Sequence, residues 1–435
     1  MCDNVLPFYH IDSNDDLTTK AYVNYVSVIC VEDEGEDSHV LDGLEIAIKN
    51  SLVHEKENLC DVTDILKKFT VDTLQKSLSW EEESQIDVVI NRSSVYKSTL
   101  RAIQRDTFSF EKPVGVTFAG EEAVDYGGPR REYFRLLMKD VGSSTLFKSQ
   151  WFTHNLESLN NQEYELAGKL VAWSVLQGGP GPKNLSNYIF MLMCGYKAEY
   201  NTQELIKLVK DRKLQELLFN IEKCTSIDEF ELFKKNHDDS VANYGYLNIY
   251  SASVEKKNDI IDCFLKQHFI FSVYAEIQQF RNGLNSIGKL GDIVLHNKHV
   301  FKKLLGDEPD KLTFTKFKSL YKVEFSEEGS NKRISENQTI YCFEVFLQDL
   351  SEGTIDGLAL CDLLNFITGA DQVPPLGFPN LIEIQFYNYS DCEKRLPWSS
   401  TCSLTLFLPR GITEETDFLL LMKRMLLECV GFGKC

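Results

Sequence analysis

A chain of 435 residues is long enough for about three structural units at roughly 150 residues each. Its 46 Lys and Arg against 65 Asp and Glu, a net charge of −19, exclude a mainly electrostatic partnership with nucleic acid or an anionic membrane, since both need clustered cations. With no run of about 18 apolar residues and no basic-then-apolar start, the chain is expected in the cytoplasm, the nucleus or both, its 12 cysteines held as thiols.

Residues 1–84 are expected to form an acidic extension. The first 50 hold 11 acids and 2 bases, and the run Glu32-Asp33-Glu34-Gly35-Glu36-Asp37 is expected as a solvated loop. A short helix is expected over 62–69 and a second piece near 72–78. From Ile86 the pattern changes: Ile86, Val88 and Ile90 share one face of a strand, a helix runs through 98–103, and Val114, Val116 and Phe118 alternate in a second strand. Gly127-Gly128-Pro129 opens a helix, because glycine permits the tight turn and proline is preset for a first helical position. Phe134, Leu137 and Met138 give that helix its buried face. Long amphipathic helices are expected at 165–177, 203–221 and 259–280. Gly178-Gly179-Pro180-Gly181-Pro182 separates the first two as a stiff turn, without the lysine of a phosphate loop.

The polar run Ser326-Glu327-Glu328-Gly329-Ser330-Asn331-Lys332-Arg333 is expected as a linker, since Gly and Ser with little apolar content give no anchor for fixed packing. Beyond it, helices are expected at 345–350 and 358–367. Strands follow at 381–386, where Ile382, Ile384 and Phe386 share a face, and at 404–408. A last helix, capped by Thr413 and stopped by Gly431, carries Phe418, Leu421, Met422, Met425, Leu426 and Cys429 at helical spacing. This mixture indicates an α+β chain of two or three lobes.

A reactive cysteine needs partial exposure and polar surroundings, whereas a cysteine among apolar neighbours is a small core hydrophobe. Cys194, Cys263, Cys342, Cys361 and Cys429 have apolar or aromatic neighbours and are expected in the core. Cys402 follows the turn-forming stretch Pro397-Trp398-Ser399-Ser400-Thr401 and stands two residues before a strand, a position both accessible and held. Cys392 and Cys435 have similarly polar neighbours, so the residues alone do not choose among the three. No Cys-x-x-Cys occurs, and His296 with His299 is a lone H-x-x-H pair, so neither a metal nor a cofactor is expected. All eight histidines precede Cys402, the nearest being His299, which excludes a papain-like order of nucleophile before base. Thiol exchange with an already activated thioester needs no resident histidine and suits Cys402 better.

Three segments carry a resemblance. The first is Val116-Thr117-Phe118-Ala119-Gly120-Glu121, continuing through Asp125-Tyr126-Gly127-Gly128-Pro129-Arg130-Arg131-Glu132-Tyr133-Phe134. The second is Leu363-Leu364-Asn365-Phe366-Ile367-Thr368-Gly369 with Val373-Pro374-Pro375-Leu376-Gly377-Phe378. The third is Leu396-Pro397-Trp398-Ser399-Ser400-Thr401-Cys402 with Leu406-Phe407-Leu408-Pro409. In order and spacing they resemble the HECT-type ubiquitin-protein ligases over about residues 85–435. The turn at Gly178 to Pro182 and the run Gln278-Gln279-Phe280-Arg281-Asn282-Gly283-Leu284 look most similar to the branch that includes the ligase named for the gap-two-to-mitosis phase of the cell cycle.

The resemblance implies a bilobal α+β fold, with a larger, mostly helical N-lobe at 85–325 and a smaller α/β C-lobe at 337–435. A flexible hinge at 326–336 would join them. It implies that Cys402 holds ubiquitin as a glycyl thioester taken from a conjugating enzyme and passes it to lysines of protein substrates. Thr401 would position the thiol loop and Phe432 would contact the N-lobe. From the residues themselves, Gly127 to Pro129 are expected as a helix-starting turn, and Arg131 and Glu132 as an ion pair or a solvated face. Phe366, Gly369, Pro374 and Gly377 are expected as C-lobe core and turn.

Three departures from the family pattern stand out. Ser400 replaces a frequent histidine two residues before the cysteine, and Cys342-Phe343-Glu344-Val345-Phe346 replaces a Phe-Trp pair. The region 196–269, where the family grips the conjugating enzyme, is altered, with Val254-Glu255-Lys256-Lys257-Asn258 keeping only two residues of a five-residue element. The alternative expectation is therefore a HECT-like interaction scaffold with weak or no transfer. Removal of residues 1–84, expected to choose substrates, should spare loading of Cys402.

Overall fold

Alternating apolar residues build β1 (Ile86–Ile90) and β2 (Val114–Phe118), which pair in parallel with Val88 opposite Val116. The computed structural model describes residues 62–75, 85–121, 125, 127–148, 150–183, 185–187, 190, 194, 202–306, 311–388 and 396–428, all within the unit Asp61–Cys435. Over these residues the chain is a mixed α+β protein, mostly helical with small sheets.

The apolar side chains collect into three cores. The first is formed by α1 (Val62–Gln75), β1, α2 (Val95–Ile103), β2, α3 (Gly128–Gly142) and the later helices that pack on them, with Phe134, Trp173 and Phe280 at its centre. Leu66 and Phe69 of α1 are buried in it, so the end of the expected extension is part of the larger core. One helix stands where two short pieces were expected.

Short β3 (Phe147–Lys148) and β4 (Trp151–Phe152), α4 (Leu156–Asn160) and α5 (Glu163–Leu176) follow. The second core gathers α6 (Thr202–Leu208), α7 (Arg212–Lys223), α8 (Ile227–Asn243) and α9 (Lys257–Phe269) around Leu218, Phe230 and Phe264. The helix expected over 203–221 is broken because Asp211 caps α7, its carboxylate accepting from the Leu214 amide at 3.0 Å. The one expected over 259–280 ends at Ile270, whose φ of −120° leaves the helical region. A single 3-10 turn then leads to α10 (Tyr274–Asn285). Helices α11 (Leu290–His296) and α12 (Lys298–Leu305) return to the first core.

The third core begins earlier than the sequence suggests. Phe317 of α13 (Phe314–Lys318) is fully buried in it, and β5 (Tyr321–Val323) pairs in parallel with β6 (Ile382–Asn388). The expected hinge at 326–336 is pinned instead. Ser326 donates from both its amide and its hydroxyl to Glu336, each at 2.7 Å, and Arg410 Nε lies 2.7 Å from the same carboxylate. Residues from Asn331 onward already belong to α14 (Asn331–Glu352). The change of core thus falls between Leu305 and Leu312 rather than at 326–336. Helix α15 (Leu360–Thr368), β7 (Trp398–Ser400), β8 (Thr405–Arg410) and α16 (Glu415–Glu428) complete this part. Its sheet runs β5-β6-β8-β7, with only the β7–β8 pair antiparallel.

Candidate functional site

Cys402 lies in the turn between β7 and β8, whose register sets Ser400 opposite Thr405. Its side chain is half-buried. The turn is held from both ends. Trp398 stacks on Phe407 with ring centroids 4.8 Å apart, Ser399 Oγ donates to the Phe366 carbonyl at 2.6 Å, and the hydroxyls of Ser403 and Thr405 are 2.9 Å apart. Leu404 closes it with a φ of +55°, a left-handed conformation that costs a branched residue about 1–3 kcal/mol. The buried Leu404 side chain, anchored in the third core, offsets that strain.

The first core meets this turn through the start of α3. Gly127 has a φ of +112°, which glycine adopts without steric cost. Asp125 organises the approach, accepting from the amides of Val116 (2.9 Å), Gly127 (2.7 Å) and Arg130 (3.4 Å). At Gly128 a Cβ would overlap Thr401 Oγ1 and lie 2.9 Å from Thr401 Cβ. Only a glycine lets the helix start and the thiol loop come this close.

Arg131 joins the two parts. Its Nε donates to the Thr368 carbonyl at 2.7 Å and its Nη2 to the Thr401 carbonyl at 2.5 Å. Burial, reinforced by Arg130 and opposed by Cys402 and Asp125, lowers this guanidinium to about 10, so it stays cationic at neutral pH. Of the expected ion pair or solvated face, Glu132 forms an ion pair, though not with Arg131. Glu132 instead takes Arg92 Nη1 at 2.6 Å and Arg135 Nη2 at 3.4 Å, which leaves Arg131 to the carbonyls beside Cys402. Sequence reasoning missed this role. The available signal was Gly128 itself, a glycine at a helix start where alanine suits the backbone better.

Burial pushes up the thiols of Cys194, Cys224, Cys263, Cys342 and Cys361, Cys194 to about 11. Cys392, Cys429, Cys435 and Phe432 lie outside the described residues. Among the described residues no three His, Cys, Asp or Glu side chains gather for a metal ion, and no helix is long and apolar enough to cross a membrane.

The altered region has a core of its own, and within 202–269 it is built of α-helices and 3-10 turns. Val254–Lys256 is one such turn, leading into α9. Phe219, Ile227, Leu232, Leu247 and Tyr250 stand exposed on it.

The family profile described as HECT-domain (ubiquitin-transferase) matches residues 130–431, more than half of the chain. The human G2/M phase-specific E3 ubiquitin-protein ligase is 23% identical over 347 residues, covering 76% of this chain and 46% of that protein. Its chicken counterpart is 25% identical over 305 residues, 68% and 40% of the two chains. Human Apoptosis-resistant E3 ubiquitin protein ligase 1 is 25% identical over 388 residues, 80% and 44%. The chain therefore spans less than half the length of these relatives.

Proposed function

The chain belongs to the HECT-domain (ubiquitin-transferase) family, and from that premise we propose that it accepts ubiquitin as a thioester on Cys402 and passes it to lysines of protein substrates. The observation that carries this reading is the placement of Cys402 in a held turn whose preceding residue, Thr401, packs against Gly128 and accepts a bond from Arg131. In the first step the Cys402 thiolate attacks the carbonyl of ubiquitin's thioester on the conjugating enzyme. A new C–S bond forms and the enzyme's thiolate leaves. Exchange between similar thiols is nearly balanced in energy, so the protein's task is proximity and orientation.

In the bilobal arrangement that the family implies, the first two cores form the N-lobe and the third the C-lobe, with the pivot between Leu305 and Leu312. Thr401 positions the thiol loop. The exposed apolar side chains Leu232, Leu247 and Tyr250 suit the 202–269 region to docking the conjugating enzyme, which favours transfer over a purely scaffolding role. Phe432 remains the proposed contact to the N-lobe.

Replacing the thiol by a hydroxyl tests the reading. Cys402→Ser is expected to trap ubiquitin as an ester that survives reductant and is cleaved by alkali. A reductant-sensitive adduct in that variant would move the nucleophile to another cysteine.

A further inference from the structure

The second core meets the first along a seam at β4. Neighbouring strand residues face opposite ways, and here Trp151 belongs to the second core while Phe152 belongs to the first. Trp151 packs on Phe269 with ring centroids 4.5 Å apart, and Phe152 on Phe280 at 5.2 Å. Between those two phenylalanines the chain returns from the second core to the first. It passes through Ile270, which touches both cores, and the 3-10 turn Phe271–Val273 into α10. At Phe280 α10 is locked against α5, so closely that a Cβ on Gly168 would overlap the Phe280 carbonyl. Residues 270–279 are therefore a neck between the two cores.

Gln279 and Glu276 tie this neck to the first core. Gln279 Nε2 donates to the Leu159 carbonyl at 2.7 Å, and Glu276 Oε1 lies 2.7 Å from His154 Nδ1. A carboxylate only accepts, so His154 is the donor. Glu276 is fully buried, and His154 is its one bonding partner among the described residues. The backbone beside His154 is itself fixed: the Thr153 amide donates to the Leu146 carbonyl at 2.9 Å, and the Thr153 carbonyl accepts from the Tyr164 hydroxyl.

We propose that His154 is a positioning residue for ubiquitin loading. By holding Glu276 it fixes the neck, and with it the direction in which a conjugating enzyme docked on the second core presents its thioester to Cys402. The inference rests on the transfer reading above. Exchange between similar thiols leaves the protein mainly alignment to supply, so a loose neck slows the step without touching the reacting atoms. Removing His154 strands Glu276 as a buried charge, which is relieved only when water reaches it. His154 is more than half exposed, so water stands one side chain away and the neck opens to admit it.

Three variants separate alignment from stability. His154→Ala is expected to slow the saturated rate of Cys402 loading by ubiquitin-charged conjugating enzyme roughly tenfold to a hundredfold. The half-saturating concentration is expected unchanged, because Leu232, Leu247 and Tyr250 stay in place. Discharge of preloaded Cys402 to hydroxylamine, which makes no use of the second core, is expected at the wild-type rate, while amide exchange over 270–279 rises about tenfold or more. His154→Asn, whose Nδ2 can stand where Nδ1 does, is expected to restore both loading and exchange. In His154→Ala combined with Glu276→Gln the stranded charge is gone, so most of the thermal stability is expected to return while loading stays slow; this pair carries the comparison if His154→Ala alone does not fold. Wild-type loading in His154→Ala, an equal slowing of discharge, or loading that returns with stability in the double variant would overturn the positioning role. If the wild-type chain takes up no ubiquitin at all, the transfer reading fails and the loading role with it, whereas unchanged exchange over 270–279 in His154→Ala refutes the tie by itself.

Discussion

Arg131 on the first turn of α3 donates to the carbonyl of Thr401, the residue before Cys402, across 270 positions of sequence. A bond from a charged donor to a partly buried carbonyl contributes roughly 1.5–3 kcal/mol. Arg131→Ala is therefore expected to raise amide exchange across 398–405 by about tenfold or more and to slow ubiquitin transfer. Arg131→Lys, which keeps the charge but not the fork, falls between. Unchanged exchange in the alanine variant would show that the clamp does not hold the loop.

Gly128 gives a test with two opposing expectations. Helix propensity alone favours alanine there by up to about 1 kcal/mol, whereas the overlap with Thr401 opposes it. Gly128→Ala is expected to reduce both stability and transfer, and Thr401→Gly, which removes the overlapping atoms, is expected to restore part of the loss. Denaturant melts of the two single variants and the pair give the coupling, expected at about 1–2 kcal/mol for residues in contact. An additive pair would contradict the close approach.

Glu336 is fully buried beside Arg410. Burial pushes its carboxyl up, but the Ser326 donors and Arg410 outweigh that and hold it below the usual 4.5. A depressed carboxyl stabilises the fold fully above the unfolded value, and the stabilisation is lost as pH falls from about 4.5 through the folded value. Glu336→Ala strands Arg410 and is expected to cost about 3–5 kcal/mol at pH 7. The cost should shrink below pH 4.5 in thermal melts. A cost independent of pH would mean that charge is not what the pair contributes.

How far the sequence foretold all this differs by place. Strands β1 and β2 and the helix start at Gly128 were legible because their signals are local: alternation, and glycine followed by proline. The change of core was not. Composition over Ser326 to Arg333 suggested a mobile linker, but the carboxylate that pins Ser326, Glu336, is itself held by Arg410, 74 positions further on. Cys402 emerged from its polar turn and the family motif, although the residues alone left Cys392 and Cys435 as rivals. Arg131 was hidden because adjacent opposite charges suggest a local pair, whereas Glu132 was already taken by Arg92, 40 positions away.

Helix α1 revises the expectation for residues 1–84. Leu66→Ala is expected to cost about 2–5 kcal/mol and Phe69→Ala about 3–5, as large-to-small changes in a packed core do. Removing 1–84 takes both side chains from the first core and is expected to lower stability and, with it, Cys402 loading. A truncated chain that melts and loads like the full one would contradict the packing of α1.

The most direct measurement is a single-turnover reaction with ubiquitin-charged conjugating enzyme, resolved with and without reductant. The expected result is one reducible ubiquitin adduct that disappears in Cys402→Ala and remains in Cys361→Ala. An adduct that survives Cys402→Ala, or none with any conjugating enzyme tried, would contradict the assignment of Cys402 as the ubiquitin-bearing thiol.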